Sequence, residues 1–346
     1  MKHIKEPLRH YYAIIRGHNP PSFHRALAIP APFDKDMPLE DLWKAHSKAL
    51  RSKPTDTRQE QNLLDLKLAI AKRMLKECNL CERRCGVDRA SGASGKCGVL
   101  DAHIASHFMH YGEEAPLVPS YTIFFAGCNF ECVFCQNCDI STHPTAGKHI
   151  PAELMARRLE NLSEVGRAGF KISLVREWDD RALNVNWVGG EPTPNLAYVL
   201  EVLKETRCNL PQIWNSNMYM SKESMSLLEG TMDLFLADLK YGNDDCAKRY
   251  SKVDDYFRVV TCNHLLASKR ADVLVRHLML PGHLECCTFP ILQWLSENLP
   301  EALVNIMDQY RPMHLAHLYP ELLCRVKPED YQAAMRQALE LGLKLV

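Results

Sequence analysis

From about residue 119 onward, short apolar runs alternate with stretches of helical period. Tyr121–Phe125, Leu183–Val188, Gln212–Asn215, Met232–Ala237, Val273–Leu280 and Leu303–Met307 are apolar or alternating and are bounded by Gly, Pro, Asn or Asp, which predicts six strands. Helices are predicted between and after them. One opens at Pro151 with Met155, Leu159, Leu162 and Val165 on one face, one runs from about Asn195 to Thr206, and one starts at Pro328 along Tyr331, Met335, Ala338 and Leu339. Such alternation predicts parallel βα units and an α/β fold, a partial (β/α)6 TIM-like barrel whose chemistry gathers at the carboxyl ends of its strands.

The pattern ahead of the barrel is different. Up to about residue 55 the chain is rich in proline and has no long period, so it reads as an irregular extension with short helices. A helix follows, with Leu63, Leu66, Ile70 and Met74 on one face and a capping box predicted at Thr57-Arg-Gln-Glu60. The expected organisation is an extension over 1–76, a cysteine-rich metal-binding module over 77–118, the barrel over 119–310 and a helical segment over 311–346.

Composition narrows the partners. The 346 residues are 46% apolar, enough for one large domain plus an appendage, and 42 basic residues balance 42 acidic ones. That balance leaves no electrostatic footprint for general binding to nucleic acid or acidic membranes, and neither is expected as a partner. The amino terminus lacks the apolar core of a signal peptide and no run reaches the length of a membrane span, so a cytoplasmic protein is expected. The 14 cysteines fall in close-spaced groups, which in a reducing compartment implies metal ligation.

The main group is Cys128, Cys132 and Cys135, in CxxxCxxC spacing just beyond the first predicted strand. Three thiolates so placed can hold three corners of a [4Fe-4S] cluster and leave the fourth iron to a small chelating molecule. A zinc site would need a fourth ligand, for which Cys138 is the obvious candidate, but a fourth cysteine would close the cluster, and Cys138 is expected not to be a ligand. A second group, Cys78, Cys81, Cys85 and Cys97, has the spacing of a closed zinc knuckle or of a second iron-sulfur cluster. His103, His107 and His110 read as surface or packed residues. Polar or glycine residues close the later strands: Gly189-Gly190-Glu191-Pro192, Asn215-Ser216-Asn217, Asp238 with Lys240, and Arg276-His277 on the fifth.

These motifs resemble the radical S-adenosylmethionine (SAM) superfamily. CxxxCxxC followed some sixty residues later by Gly-Gly-Glu-Pro is its signature, and the chain resembles one branch of it, the iron-sulfur proteins related to pyruvate formate-lyase activating enzyme whose substrate is generally unassigned. The matching phrases are Cys78-Asn-Leu-Cys-Glu-Arg-Arg-Cys85, Phe134-Cys-Gln-Asn137, Val188-Gly-Gly-Glu-Pro-Thr-Pro194, Arg276-His-Leu-Met-Leu-Pro-Gly-His283 and Met307-Asp-Gln-Tyr310, across about two thirds of the chain. The resemblance implies a [4Fe-4S] cluster on Cys128, Cys132 and Cys135, and SAM held by Phe134, Gly189, Gly190, Glu191, Pro192, Asn215, Ser216, Asn217, Asp238, Lys240, Arg276 and His277. It implies reductive cleavage of SAM to a 5'-deoxyadenosyl radical, a flavodoxin- or ferredoxin-type electron donor, and hydrogen abstraction from a peptide or protein, as in the activating enzymes.

Two features depart from that pattern. Residues 171–182 look like an insertion ahead of the second strand, and the Leu-Pro-Tyr-His motif of glycyl-radical activases is absent near the sixth. Two other classes compete. A two-cluster electron carrier without catalysis would use all eight cysteines as closed sets, at odds with so large a barrel, and a zinc-stabilised nucleic-acid binder would need a basic stripe the sequence lacks.

Overall fold

The computed structural model describes residues 7–164 and 181–346. Eight strands form one sheet in chain order: β1 (Ile104–His110), β2 (Ser120–Phe125), β3 (Asn184–Gly189), β4 (Gln212–Ser216), β5 (Leu234–Asp238), β6 (Asp272–Leu278), β7 (Leu303–Met307) and β8 (Lys344–Leu345). β1 runs antiparallel to β2 and every later neighbour is parallel. Among the described residues the order does not close on itself, which gives a partial barrel. Most of the sequence-predicted 171–182 insertion, and Val165 with it, lies outside the described residues.

The six predicted strands correspond to β2–β7, within two residues at most ends. β1 and β8 are additional. Helices Ala152–Glu164, Leu196–Glu205, Lys222–Leu228, Asp244–Ser251, Tyr256–Ser268, Phe289–Asn298 and Pro328–Glu340 follow the parallel strands. In the last of these, Ala338 is buried but Leu339 is 64% exposed and off the packed face. The helix Leu63–Met74 is capped differently from the expected Thr57–Glu60 box. Asn62 Oδ1 accepts from Leu64 N at 3.0 Å and Asp65 N at 3.1 Å, while Asp65 answers to Asn62 N at 3.2 Å.

The amino-terminal segment does more than extend the chain. Leu8 and Tyr11 pack with Leu117, Ile213, Leu234, Leu236 and Leu274 in an apolar cluster of their own, which plugs the barrel at the amino ends of its strands. One buried and one half-buried carboxylate hold the plug in place: Asp233 accepts from Ser22 N at 2.8 Å, Gln212 N at 2.8 Å and His10 Nε2 at 3.1 Å, and Asp272 accepts from Tyr11 N at 2.8 Å. Asp233→Ala would leave these donors without an acceptor and is expected to cost about 3 kcal/mol, read as a lower midpoint in denaturant. The hydrogen bond to Asp233 raises the His10 pKa above 6.5. Its stabilisation is therefore full below His10's unfolded value and lost as pH rises through the folded one, and the variant should lack that dependence.

Candidate active site

Every strand from β2 to β7 sends a residue, or the loop that follows it, to one cavity of about 540 Å³. β2 ends in Ala126-Gly127, and Gly127 lies at φ +82° with no room for a side chain: a Cβ would meet Val99 Cγ2 at 2.3 Å. The chain then turns through the three cysteines. Cys128 Sγ accepts from Phe130 N at 3.4 Å, Cys132 Sγ lies 3.0 Å from Ser251 Oγ, and Cys135 Sγ lies 3.2 Å from Ser141 Oγ. Burial pushes the Cys128 thiol well up, with Glu191 and Cys132 adding to it, and pushes Cys132 up to about 11 against the pull of Lys240.

The donor set fits a cluster better than a single ion. One Zn²⁺ with bonds of about 2.3 Å draws its sulfurs to about 3.8 Å apart. Neither Cys128, Cys132 and Cys135 nor any three of Cys78, Cys81, Cys85 and Cys97 have donor atoms all within 4.8 Å of one another. Cys138 opens the short helix Cys138–Ser141 and does not line the cavity.

Opposite the cysteines, Gly189 lies at φ +133°, where a Cβ would sit 2.2 Å from Phe125 N and O, and a Cβ on Gly190 would sit 2.2 Å from Gly127 O. This turn must be bare for β2 and β3 to approach. Glu191 is 1% exposed and spends its carboxylate inside the chain. Oε1 accepts from Thr193 Oγ1 at 2.5 Å, Ser216 Oγ at 2.6 Å and Thr193 N at 3.2 Å, and Oε2 accepts from Asn217 N at 2.9 Å. Asn217 Nδ2 in turn donates to Asn129 Oδ1 at 2.7 Å, beside Cys128. Glu191, Ser216 and Asn217 thus line the cavity with polar atoms bonded to one another, whereas Asn215 faces it with no side-chain partner among the described residues.

Lys240 pairs with Asp238 on the same wall. Burial opposes the lysine's charge, but Asp238 and the Cys132 sulfur outweigh it and hold its pKa above the usual value. Phe134 packs edge-on to Tyr310 at 5.8 Å.

Two expected residues are placed otherwise, and a third is already paired. His277 is buried away from the cavity: its Nδ1 meets Leu239 O at 2.8 Å, its Nε2 meets Thr288 Oγ1 at 2.9 Å, and burial drives its pKa down to about 4. Pro192 is buried and does not line the cavity. Arg276 does line it, but pairs with Glu113 and, at 2.6 and 2.7 Å, with Glu114. Glu114 also accepts from Asn305 Nδ2 at 2.8 Å, and Glu113 from Asn186 Nδ2 at 2.9 Å. Burial works to raise the Glu114 carboxyl, but Arg276 and Asn305 outweigh it and hold it below the usual range. The β1–β2 loop therefore gives Leu117 to the plug and Glu113 and Glu114 to the polar floor above it. Sequence reasoning missed this pair because it placed no strand at β1; Asn305 and Gln309, on and just after the predicted sixth strand, also line the cavity and were not singled out.

The second cysteine group lies against the first. Arg83 Nε donates to Asn129 O at 2.9 Å, Arg89 reaches Pro194 O at 2.8 Å, and Cys97 O would be 3.1 Å from a Cβ on Gly127. Burial pushes the Cys81 thiol up to about 12, and the charges of Cys97, Cys78 and Cys85 add to the rise. No three of the four sulfurs lie within 4.8 Å of one another, which suits a second cluster better than one ion: the reconstituted chain should hold about eight irons, and Cys81→Ser should lower that to about four by iron assay, with the first cluster intact.

A family model described as the Radical SAM superfamily matches residues 122–295. An uncharacterized protein of Methanocaldococcus jannaschii is 40% identical over 346 residues, which cover 98% of this chain and 99% of that one. Among solved structures, a domain of pyruvate-formate lyase-activating enzyme from Bacteroides vulgatus is similar at a TM-score of 0.39 and 17% identity, over 47% of this chain and 97% of that one. SuiB of Streptococcus suis bound to the precursor peptide SuiA is similar at 0.44 and 13% identity, over 88% and 60%.

Proposed function

The chain belongs to the radical SAM superfamily, whose members use a [4Fe-4S] cluster and SAM, and from that premise we propose that it is an activating-enzyme-like catalyst of hydrogen abstraction from a peptide or protein. The carrying observation is convergence: Cys128, Cys132, Cys135, Gly189, Gly190, Asn215, Asp238, Lys240 and Arg276 line a single cavity although they come from five separate strand ends. In this reading Cys128, Cys132 and Cys135 hold the cluster. Reduced and bound, it supplies the electron that splits the sulfonium of SAM into methionine and a 5'-deoxyadenosyl radical.

The chain's own residues position and shield. Gly189 and Gly190 present bare backbone where an amino acid can approach. Asn215 offers both a donor and an acceptor to a ribose or an amino acid. Lys240 keeps its charge beside Asp238, a pair suited to a carboxylate and a hydroxyl. The apolar plug and the Glu113–Glu114–Arg276 floor close the far end to water. Asp238 and Lys240 resemble the Asp-x-Lys of activating enzymes, which supports a peptide or protein substrate. A flavodoxin- or ferredoxin-type donor and a cytoplasmic setting go with this reading, as does the division into 1–76, 77–118, 119–310 and 311–346. Among the described residues no helix is long and apolar enough to cross a membrane.

The test is anaerobic reduction of the reconstituted chain with SAM. Formation of 5'-deoxyadenosine and methionine is expected, and their absence from fully loaded protein would overturn the assignment. The substrate is then sought by anaerobic capture from the native cell, followed by a hydrogen-isotope exchange assay on the captured peptide. A captured partner that exchanges no hydrogen with 5'-deoxyadenosine is not the substrate.

A further inference from the structure

Outside the cavity, three cysteines from distant parts of the chain come together. Cys246 lies on the helix Asp244–Ser251, and Cys286 and Cys287 lie in the π-helical turn Leu284–Thr288 that follows β6. Their sulfurs all lie within 4.8 Å of one another, with Cys286 and Cys287 at 4.0 Å. A disulfide would need about 2.05 Å, so no pair is bonded. A tetrahedral thiophilic ion places its sulfurs about 3.8 Å apart, and these are nearly there.

The backbone around them is built for this approach. Asn243 caps the helix by accepting from Cys246 N at 2.8 Å, and its Nδ2 donates to Cys286 O at 2.7 Å and lies 3.6 Å from Cys287 Sγ. One side chain thus fixes all three cysteines. Gly242 lets the turn come close, because a Cβ there would meet Cys287 O at 2.7 Å and Cys287 Cα at 2.8 Å. The π turn widens the helix by one residue and sets neighbouring cysteines on the same side, an irregularity common at functional sites.

We infer that Cys246, Cys286 and Cys287 form a third metal centre, a mononuclear site for Zn²⁺ or a similar thiophilic divalent ion. Cys287 is buried, Cys246 half-buried and Cys286 exposed, so the site opens to solvent at Cys286, where an outside ligand can complete the tetrahedron. Binding exchanges three thiol protons for one divalent cation. The centre pins the helix after β5 to the turn after β6, and Tyr241 lies between it and the active site, within reach of the charges of both Cys132 and Cys287. Tyr241 OH meets Ser251 Oγ at 2.6 Å, the same hydroxyl that lies 3.0 Å from Cys132 Sγ. The metal would therefore stiffen the wall behind one of the active-site cysteines.

The test uses the full chain with its iron-sulfur clusters already in place, so that the other cysteine groups are occupied. The protein is dialysed against Zn²⁺ and then against Co²⁺. About one equivalent of zinc should be retained, and cobalt should give thiolate charge-transfer and tetrahedral d–d absorption. Cys246→Ser and Cys286→Ser should each weaken binding at least about tenfold while iron content and the melting temperature of the zinc-free protein stay as in the parent. Because Cys286 is exposed, its replacement tests the site without threatening the fold. Zinc retention unchanged by both substitutions would overturn the centre, as would a disulfide among the three in anaerobically purified protein. Loss of iron in place of zinc would overturn its mononuclear character.

Discussion

Replacing Cys128, Cys132 or Cys135 with alanine is expected to abolish 5'-deoxyadenosine formation, a loss of at least about a thousandfold and so at least about 4 kcal/mol of barrier, while Cys138→Ala stays near the parent. The three sulfurs line one cavity, and each has its own neighbour: Phe130 N, Ser251 Oγ and Ser141 Oγ. Removing one leaves two thiols, too few to hold a cubane against hydrolysis. Cys138 stands outside the lining, half-exposed at the start of its helix. Iron analysis separates assembly from catalysis: the three cavity variants should each lose about four irons per chain. A Cys138→Ala protein that loses the same iron would show a closed cluster, and the catalytic assignment would fail with it.

The polar floor gives a second, smaller test. Arg276→Met would leave Glu113 and Glu114 facing each other with their cation gone, at about 3–5 kcal/mol. In the parent, the lowered Glu114 value means that its stabilisation is present above the unfolded carboxyl range and lost as pH falls through the folded value. The variant should lose that acid sensitivity, measurable as melting temperature against pH.

What could be read from the sequence follows from how local each signal is. β5 and β6 announce themselves because a strand buried on both faces is apolar almost throughout, as in Leu234–Ala237 and Val273–Val275. Gly189 and Gly190 could be singled out because backbone packed at 2.2 Å against a missing Cβ admits no other residue. β1 was hidden by its own composition. Its histidines read as surface or packed residues and not as strand positions, and a bulge between Ile104 and Ser106 breaks the alternation that would mark a strand. The Arg276–Glu114 pair spans 162 positions, and Cys246 lies forty residues from Cys286, so neither leaves a periodic trace. Nor could the plug be foreseen, since Leu8 and Tyr11 find their partners only once the barrel exists. His277 shows the converse error: adjacency to Arg276 on a strand sends the two side chains to opposite faces, and only one can meet the cavity.

Glu191 carries the other large expectation, for a reason its motif does not disclose. Its buried carboxylate accepts from Thr193 N, Thr193 Oγ1, Ser216 Oγ and Asn217 N, which ties the turn after β3 to the end of β4. Through Asn217 the tie continues to Asn129 and the first cysteine. Glu191→Ala would strand these donors in a dry interior, at about 3–5 kcal/mol, and would let the cysteine loop drift, so cluster content and SAM cleavage should fall together. Glu191→Gln keeps one carbonyl acceptor but turns an amide toward Asn217 N or Ser216 Oγ, and about 1–3 kcal/mol is the expected loss. Burial raises the Glu191 pKa despite those four donors. A raised carboxyl favours the fold most below its unfolded value, and that advantage is lost as pH rises through the folded one; the glutamine variant should not show this slope. If Glu191→Gln instead kept the parent's melting temperature and iron but lost equilibrium binding of SAM, the carboxylate would be a direct contact of the cofactor and the clamp would be the wrong account of it.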